Sequence, residues 1–153
     1  MNSDDRATAG TRPATQLMQL VYVSTAHEEL APQVLDAILV SSVKHNMPQQ
    51  ITGMLVYADG NFLQILEGAA AAVQETFDRV KDDSRHYGVL VIAHEPVEHR
   101  EFQQWSMGFR RVTRDELTAN PAYAPLIAGK INFSALGVRP GLAMEILRDF
   151  SAR

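Results

Sequence analysis

The chain has 153 residues, 46% of them hydrophobic and 21% charged, with a net charge of −4. That length and apolar content suit one globular domain with its own core. The acidic balance argues against nucleic acid as a partner, which calls for a clustered basic surplus; the lack of cysteine excludes disulfides, a thiol nucleophile and a thiolate metal site.

The absence of cysteine also fits a reducing, cytoplasmic location. No stretch approaches the roughly 20 apolar residues of a membrane span, so no membrane partner is expected. Residues 1–15 are polar and lack a signal-peptide core, and are expected to be a disordered tail or leader. Structure should begin at LMQLVYVS (17–24), whose β-branched and aromatic content predicts a strand. Residues 30–46 place Val34, Leu35, Ile38, Leu39 and Val43 at helical spacing, with Pro32 acceptable in a first turn and Pro48 expected to stop the helix. In QITGMLVYADGNFLQILEG (50–68) two apolar runs flank Asp59-Gly60, a dipeptide that favours a tight hairpin. A second helix is predicted over 69–83, with Val73, Phe77 and Val80 on one stripe. Residues 88–97 read as a strand disrupted by Pro96. Residues 102–112 read as a fifth strand with Trp105, Met107 and Phe109 on one face.

The order β-α-β-β-α-β plus a fifth strand predicts an α+β, ferredoxin-like sheet with both helices on one face. Its other face needs a cover. Residues 113–153 contain a short helix near 114–118 and an amphipathic GLAMEILRDF, so C-terminal helices are expected to cover it. The chain then divides into the leader (1–15), a core domain (16–112) and a C-terminal helical extension (113–153).

Conventional catalytic motifs are missing. HEPVEH (94–99) has the wrong histidine spacing for a zinc-protease helix, and Pro96 interrupts it. There is no nucleophile elbow, Walker lysine or Gly-rich dinucleotide loop. Glu67, Asp78, Asp82 and Asp83 read as solvated carboxylates at element ends or on helix surfaces. Gln64 is more telling. It stands among Phe62, Leu63, Ile65 and Leu66, in a strand whose faces both look dry. A buried amide without partners costs about 1–3 kcal/mol. In the predicted sheet, strands 1 and 3 are neighbours, and Tyr22 can supply a hydroxyl to Gln64. From the residues alone that pair is either structural or part of a ligand site. Asn46, Trp105 and Met107 are likewise either packing residues or part of such a site.

The ordered motifs LVYVS, HN (45–46), ITGMLVYADGNFLQILEG, RH (85–86) and WSMGFR (105–110) resemble those of BLUF domains, flavin-using sensors of blue light. The resemblance runs from about 17 to 112. It implies FAD as cofactor, with FMN or riboflavin as substitutes, held between the two helices. It assigns Asn46 to the pyrimidine edge and places Gln64 between the flavin and Tyr22. Ile38 and Val80 would lie on the two sides of the ring. Ser42 and His45 would line the pocket, and Arg79 and Arg85 would lie towards the ribityl and phosphate end. Tyr22 would pass an electron and a proton after excitation, and Gln64 would rearrange its hydrogen bonds. Trp105 and Met107 on strand 5 would relay that change to the C-terminal helices. The extension is too short for a cyclase or phosphodiesterase. The chain is therefore expected to lack enzyme activity, to signal through a separate protein, and to form dimers or larger homo-oligomers. The contrasting expectation is a ferredoxin-like ligand-binding domain or enzyme with a structural Tyr22–Gln64 pair.

Overall fold

The computed structural model describes residues 15–119, 121 and 140–151. The expected leader, apart from Thr15, and the segment 122–139 lie outside the described residues. Elements run β1 (Leu17–Ala26), α1 (Pro32–Gln49), β2 (Thr52–Ala58), β3 (Asn61–Ala69), α2 (Ala70–Lys81), β4 (His86–Pro96), β5 (Gly108–Val112), α3 (Arg114–Ala119) and α4 (Pro140–Ser151). The sheet order is β4-β1-β3-β2-β5. The first four strands pair antiparallel, and β5 adds to β2 in parallel. This is the expected ferredoxin-like pattern with one strand more.

The β2–β3 turn sets the register of the centre. Asp59 and Gly60 both have positive φ, 50° and 85°, as a two-residue hairpin with right-handed twist requires. Ala58 then pairs with Asn61, and counting outward places Leu55 opposite Gln64. On the other side of β3, Tyr22 of β1 is the cross-strand partner of Gln64. The register therefore aligns Leu55, Gln64 and Tyr22 in one row.

Alternation along the strands divides the core in two. Met18, Leu20, Tyr22, Leu55 and Leu66 pack with Leu35 of α1 and with Val73 and Phe77 of α2. Val21, Val23, Val56, Leu63 and Ile65 pack on the opposite face with Ile146 and Leu147 of α4. The C-terminal cover predicted from the sequence is thus supplied by α4. Among the described residues no helix is long and apolar enough to cross a membrane.

Two expectations need correction. Pro48 does not stop α1, which continues to Gln49. Only the last turn is affected, where the proline's missing N–H costs one bond. Gln50, in the left-handed region at φ 56°, closes the end by donating its N–H to the carbonyls of Asn46 and Met47. The fifth strand is also shorter than predicted, beginning at Gly108 rather than 102. The backbone N–H groups of Glu101 and Phe102 bond to the Glu67 carboxylate, so they are not available to a sheet ladder. Trp105 and Met107 consequently lie in the β4–β5 loop and not in β5. They do not share a face either: Trp105 packs on the α4 side, whereas Met107 and Phe109 pack on the α1–α2 side.

Leu147 is fully buried against the sheet. Leu147→Ala should therefore destabilise the protein by about 2–5 kcal/mol in chemical denaturation. A change below about 0.5 kcal/mol, the range of surface substitutions, would contradict the docking of α4 on the sheet.

Candidate functional site

A cleft lies between α1 and α2 on the sheet, with about 580 Å³ of free space including its open mouth. Tyr22, Leu55, Phe62 and Gln64 come from the strands. Ile38, Ser41 and Ser42 of α1 line one side, and Arg79 and Val80 of α2 the other. Asp83, Arg85 and His86, around the α2–β4 turn, complete the lining.

The Tyr22 hydroxyl donates to Gln64 Oε1 at 2.5 Å. Both side chains are buried, 2% and 4% exposed. Gln64 Nε2 is directed at Met107 Sδ, 3.3 Å away. The glutamine thus has a strong partner at its oxygen and a weak sulfur acceptor at its nitrogen. Burial, and after it the negative charge of Asp83, raise the Tyr22 pKa well above the ordinary phenol value. Tyr22 therefore remains a proton donor throughout the physiological range.

The charge of Asp83 is itself secured. Arg85 Nε lies 2.9 and 3.1 Å from its two carboxylate oxygens. Hydrogen bonding from Arg85 holds the Asp83 pKa down at about 2, against the opposing effect of burial. His86 braces the same turn, with Nε2 2.8 Å from the Val80 carbonyl and Nδ1 2.7 Å from Ser24 Oγ. Its ring meets those of Tyr22 and Phe62 edge-on, with centroids 6.4 and 6.1 Å away.

The structure thus gathers Tyr22, Ile38, Ser42, Gln64, Arg79, Val80 and Arg85 around one cleft. His45 and Asn46 stand apart from that lining. His45 Nε2 is 3.3 Å from Thr76 Oγ1, linking α1 to α2. Burial and the nearby Arg79 lower its pKa, partly offset by Glu75. Asn46 donates from Nδ2 to the Ser106 carbonyl at 2.9 Å. Its Oδ1 is buried and has no partner among the described residues.

Sequence reasoning missed Ser41, Leu55, Phe62, Asp83 and His86 as cleft residues. Leu55 was within reach, since counting back from the Asp59-Gly60 turn pairs it with Gln64. Asp83 read as a solvated surface carboxylate, and His86 had no periodicity to mark it.

Fold and cleft together define an α+β ligand-binding module with a buried tyrosine–glutamine pair in its wall. Residues 17–108 match the family model for BLUF, "sensors of blue-light using FAD". The chain belongs to the BLUF family, whose members are described as sensors of blue light using FAD. It is 34% identical over 94 residues to the photoactivated adenylate cyclase subunit beta-like protein FB of Euglena gracilis, covering 61% of this chain and 11% of that protein. The chain thus spans only a small part of the curated relatives it matches. Among solved structures, dark-state BlrB superposes with a TM-score of 0.68 at 31% identity, covering 92% of this chain and 98% of that one. BlsA in its photo-activated state superposes with a TM-score of 0.71 at 26% identity, covering 88% and 94%.

The residues fit the cofactor. Ile38 and Val80 face the cleft from the two helices and suit the flat sides of an aromatic ring, and the buried, orphaned Asn46 Oδ1, outside that lining, suits an N–H donor such as that of the flavin pyrimidine edge. Asn46→Ala should lower FAD affinity by about tenfold, corresponding to one interior hydrogen bond. Equilibrium titration with FAD would measure this, and wild-type affinity would contradict the assignment.

Proposed function

We propose that this chain converts blue-light absorption into a rearrangement of hydrogen bonds at Gln64, relayed through the β4–β5 loop to α4 and to a separate protein. The 2.5 Å bond from Tyr22 to Gln64, with Met107 at the other end of the amide, is the observation that carries this reading.

Asn46 would hold the pyrimidine edge. Ile38 and Val80 would pack on the two sides of the ring, with Ser42 and His45 nearby and Arg79 and Arg85 at the ribityl and phosphate end. When bound, the flavin supplies an excited state that is a strong one-electron oxidant and a carbonyl edge whose absorption reports its hydrogen bonds. FMN or riboflavin would serve as well, since the reacting ring is the same. A phenol that loses an electron becomes a strong acid. Tyr22 then has one direct acceptor for its proton, Gln64 Oε1. The buried setting of the pair limits alternatives from water. An amide that turns over or tautomerises would expose a different group to Met107. Oxygen facing the thioether brings lone pairs together, so Met107 would have to shift. The switch is thus a local change of hydrogen bonding acting on a movable element.

The chain has no assigned enzyme role in this reading, and its output goes to another protein in the cytoplasm. Val40, Met47, Tyr87, Leu90 and Val91 are large apolar side chains left exposed, which supports association into homo-oligomers.

A light-minus-dark spectrum of the flavin-loaded protein tests the proposal. Blue light should produce a small, reversible red shift. Tyr22→Phe and Gln64→Leu should bind FAD yet lose that shift. A normal photocycle in Gln64→Leu would refute the role of the amide. Trp105→Ala should retain the spectral shift and change recovery or output, because Trp105 lies away from the cleft.

A further inference from the structure

Glu67 is fully buried on β3, three residues beyond Gln64 and on the opposite face. Four donors converge on its carboxylate: Gln19 Nε2 at 3.0 Å, Thr52 Oγ1 at 3.2 Å, Glu101 N at 2.5 Å and Phe102 N at 2.9 Å. Gln19 and Thr52 are its cross-strand neighbours on β1 and β2. Glu101 and Phe102 belong to the β4–β5 loop, the segment that also carries Trp105 and Met107. Arg100 reinforces the junction, donating from Nη1 to Thr52 Oγ1 at 2.8 Å and to the Glu67 carbonyl at 3.2 Å.

One strand therefore grips both ends of the loop. Gln64 meets Met107 at one end, and Glu67 holds Glu101 and Phe102 at the other. Phe102 stacks on Trp105, with centroids 6.3 Å apart and planes 18° apart. The Glu101 side chain pairs with Arg148 of α4 at 3.0 Å. The held end of the loop is thus also the end that touches α4.

We propose that Glu67 is a positioning residue for light output: it fixes the far end of the β4–β5 loop so that displacement of Met107 reaches Trp105 and α4. Without the carboxylate, the loop loses its fixed point, and a shift at Met107 dissipates locally. This inference rests on the Gln64–Met107 switch described above. Glutamine is an informative replacement, because it preserves shape but turns an amide N–H₂ towards donors that need an acceptor.

Trp105 is the chain's single tryptophan, so its fluorescence reads this loop alone. The experiment compares flavin-loaded wild type, Glu67→Gln and Thr52→Val, each in dark and light. It records the red shift together with Trp105 emission and its quenching by acrylamide. Wild type should show both a red shift and a light-dependent change in Trp105. Glu67→Gln should retain a red shift of wild-type size and lose the Trp105 change. Thr52→Val removes one donor and the Arg100 contact from a half-buried strand position; it should diminish the same change, and it answers the question if Glu67→Gln does not fold. A full Trp105 response in either soluble variant would overturn the role of Glu67. Loss of the red shift together with the Trp105 response would also overturn it, because Glu67 would then act on the photochemistry itself. A wild type that shifts its spectrum with no Trp105 response would instead sink the loop relay, and this inference with it.

Discussion

The hydrogen bond between Tyr22 and Gln64 constrains the rest of the molecule. A glutamine amide in the middle of a dry sheet needs partners, and leaving one unmade costs about as much as several weak surface contacts together. The partner at Oε1 exists because β1 lies beside β3 in a register that pairs Tyr22 with Gln64. That adjacency requires a crossover through α1 between β1 and β2, then the tight turn at Asp59 and Gly60. The same crossovers place α1 and α2 on one face, with the cleft between them. The Tyr22–Gln64 pair thus faces the space where a ligand fits.

The two faces of the sheet do different work. The face beneath α1 and α2 is interrupted by the cleft and carries the titratable lining. The other face is sealed by apolar side chains and α4. β3 is central, and its buried polar side chains include Gln64 on the cleft face and Glu67 on the α4 side. The β4–β5 loop joins these two positions around the edge of the sheet. Gly53 helps to make the passage possible. A Cβ there would lie 2.0 Å from the Ile65 carbonyl oxygen and 3.2 Å from Met107 Cε. Any larger residue would crowd β3 and the methionine that abuts Gln64.

Electrostatics and burial hold Asp83 charged and Tyr22 protonated. Arg85 lowers the pKa of Asp83 to about 2, so its carboxylate contributes stability above the ordinary aspartate range and loses that contribution as pH falls through about 2. The persistent negative charge and the dry surroundings keep the Tyr22 phenol protonated. The hydrogen bond to Gln64 therefore survives ordinary changes of pH, and a proton leaves Tyr22 only when something else changes the phenol, such as removal of an electron.

Much of this was legible in the chain itself. Helical spacing in 30–46 and 69–83, and Asp59-Gly60 between apolar runs, determined the element order and hence the ferredoxin-like sheet. The polar residue at 64 among apolar neighbours marked the site, and Tyr22 was identified as its partner because strands 1 and 3 are adjacent in that topology. These features are local or periodic, so sequence carries them directly. Tertiary structure decided the rest. Alternating apolar residues in 102–112 suggested a strand, but the carboxylate of Glu67, distant in sequence, captures the backbone N–H groups and makes the first half a loop. That capture puts Trp105 and Met107 on opposite faces. It also turns Glu67, which read as a solvated acid at a strand end, into a buried anchor. The contacts of His86 with Ser24 and Val80 likewise arise where the α2–β4 turn folds back on β1 and α2, whereas the pairing of Asp83 with Arg85 is local to that turn. Periodicity reports which face a residue occupies; it does not report which distant donor or acceptor meets it there.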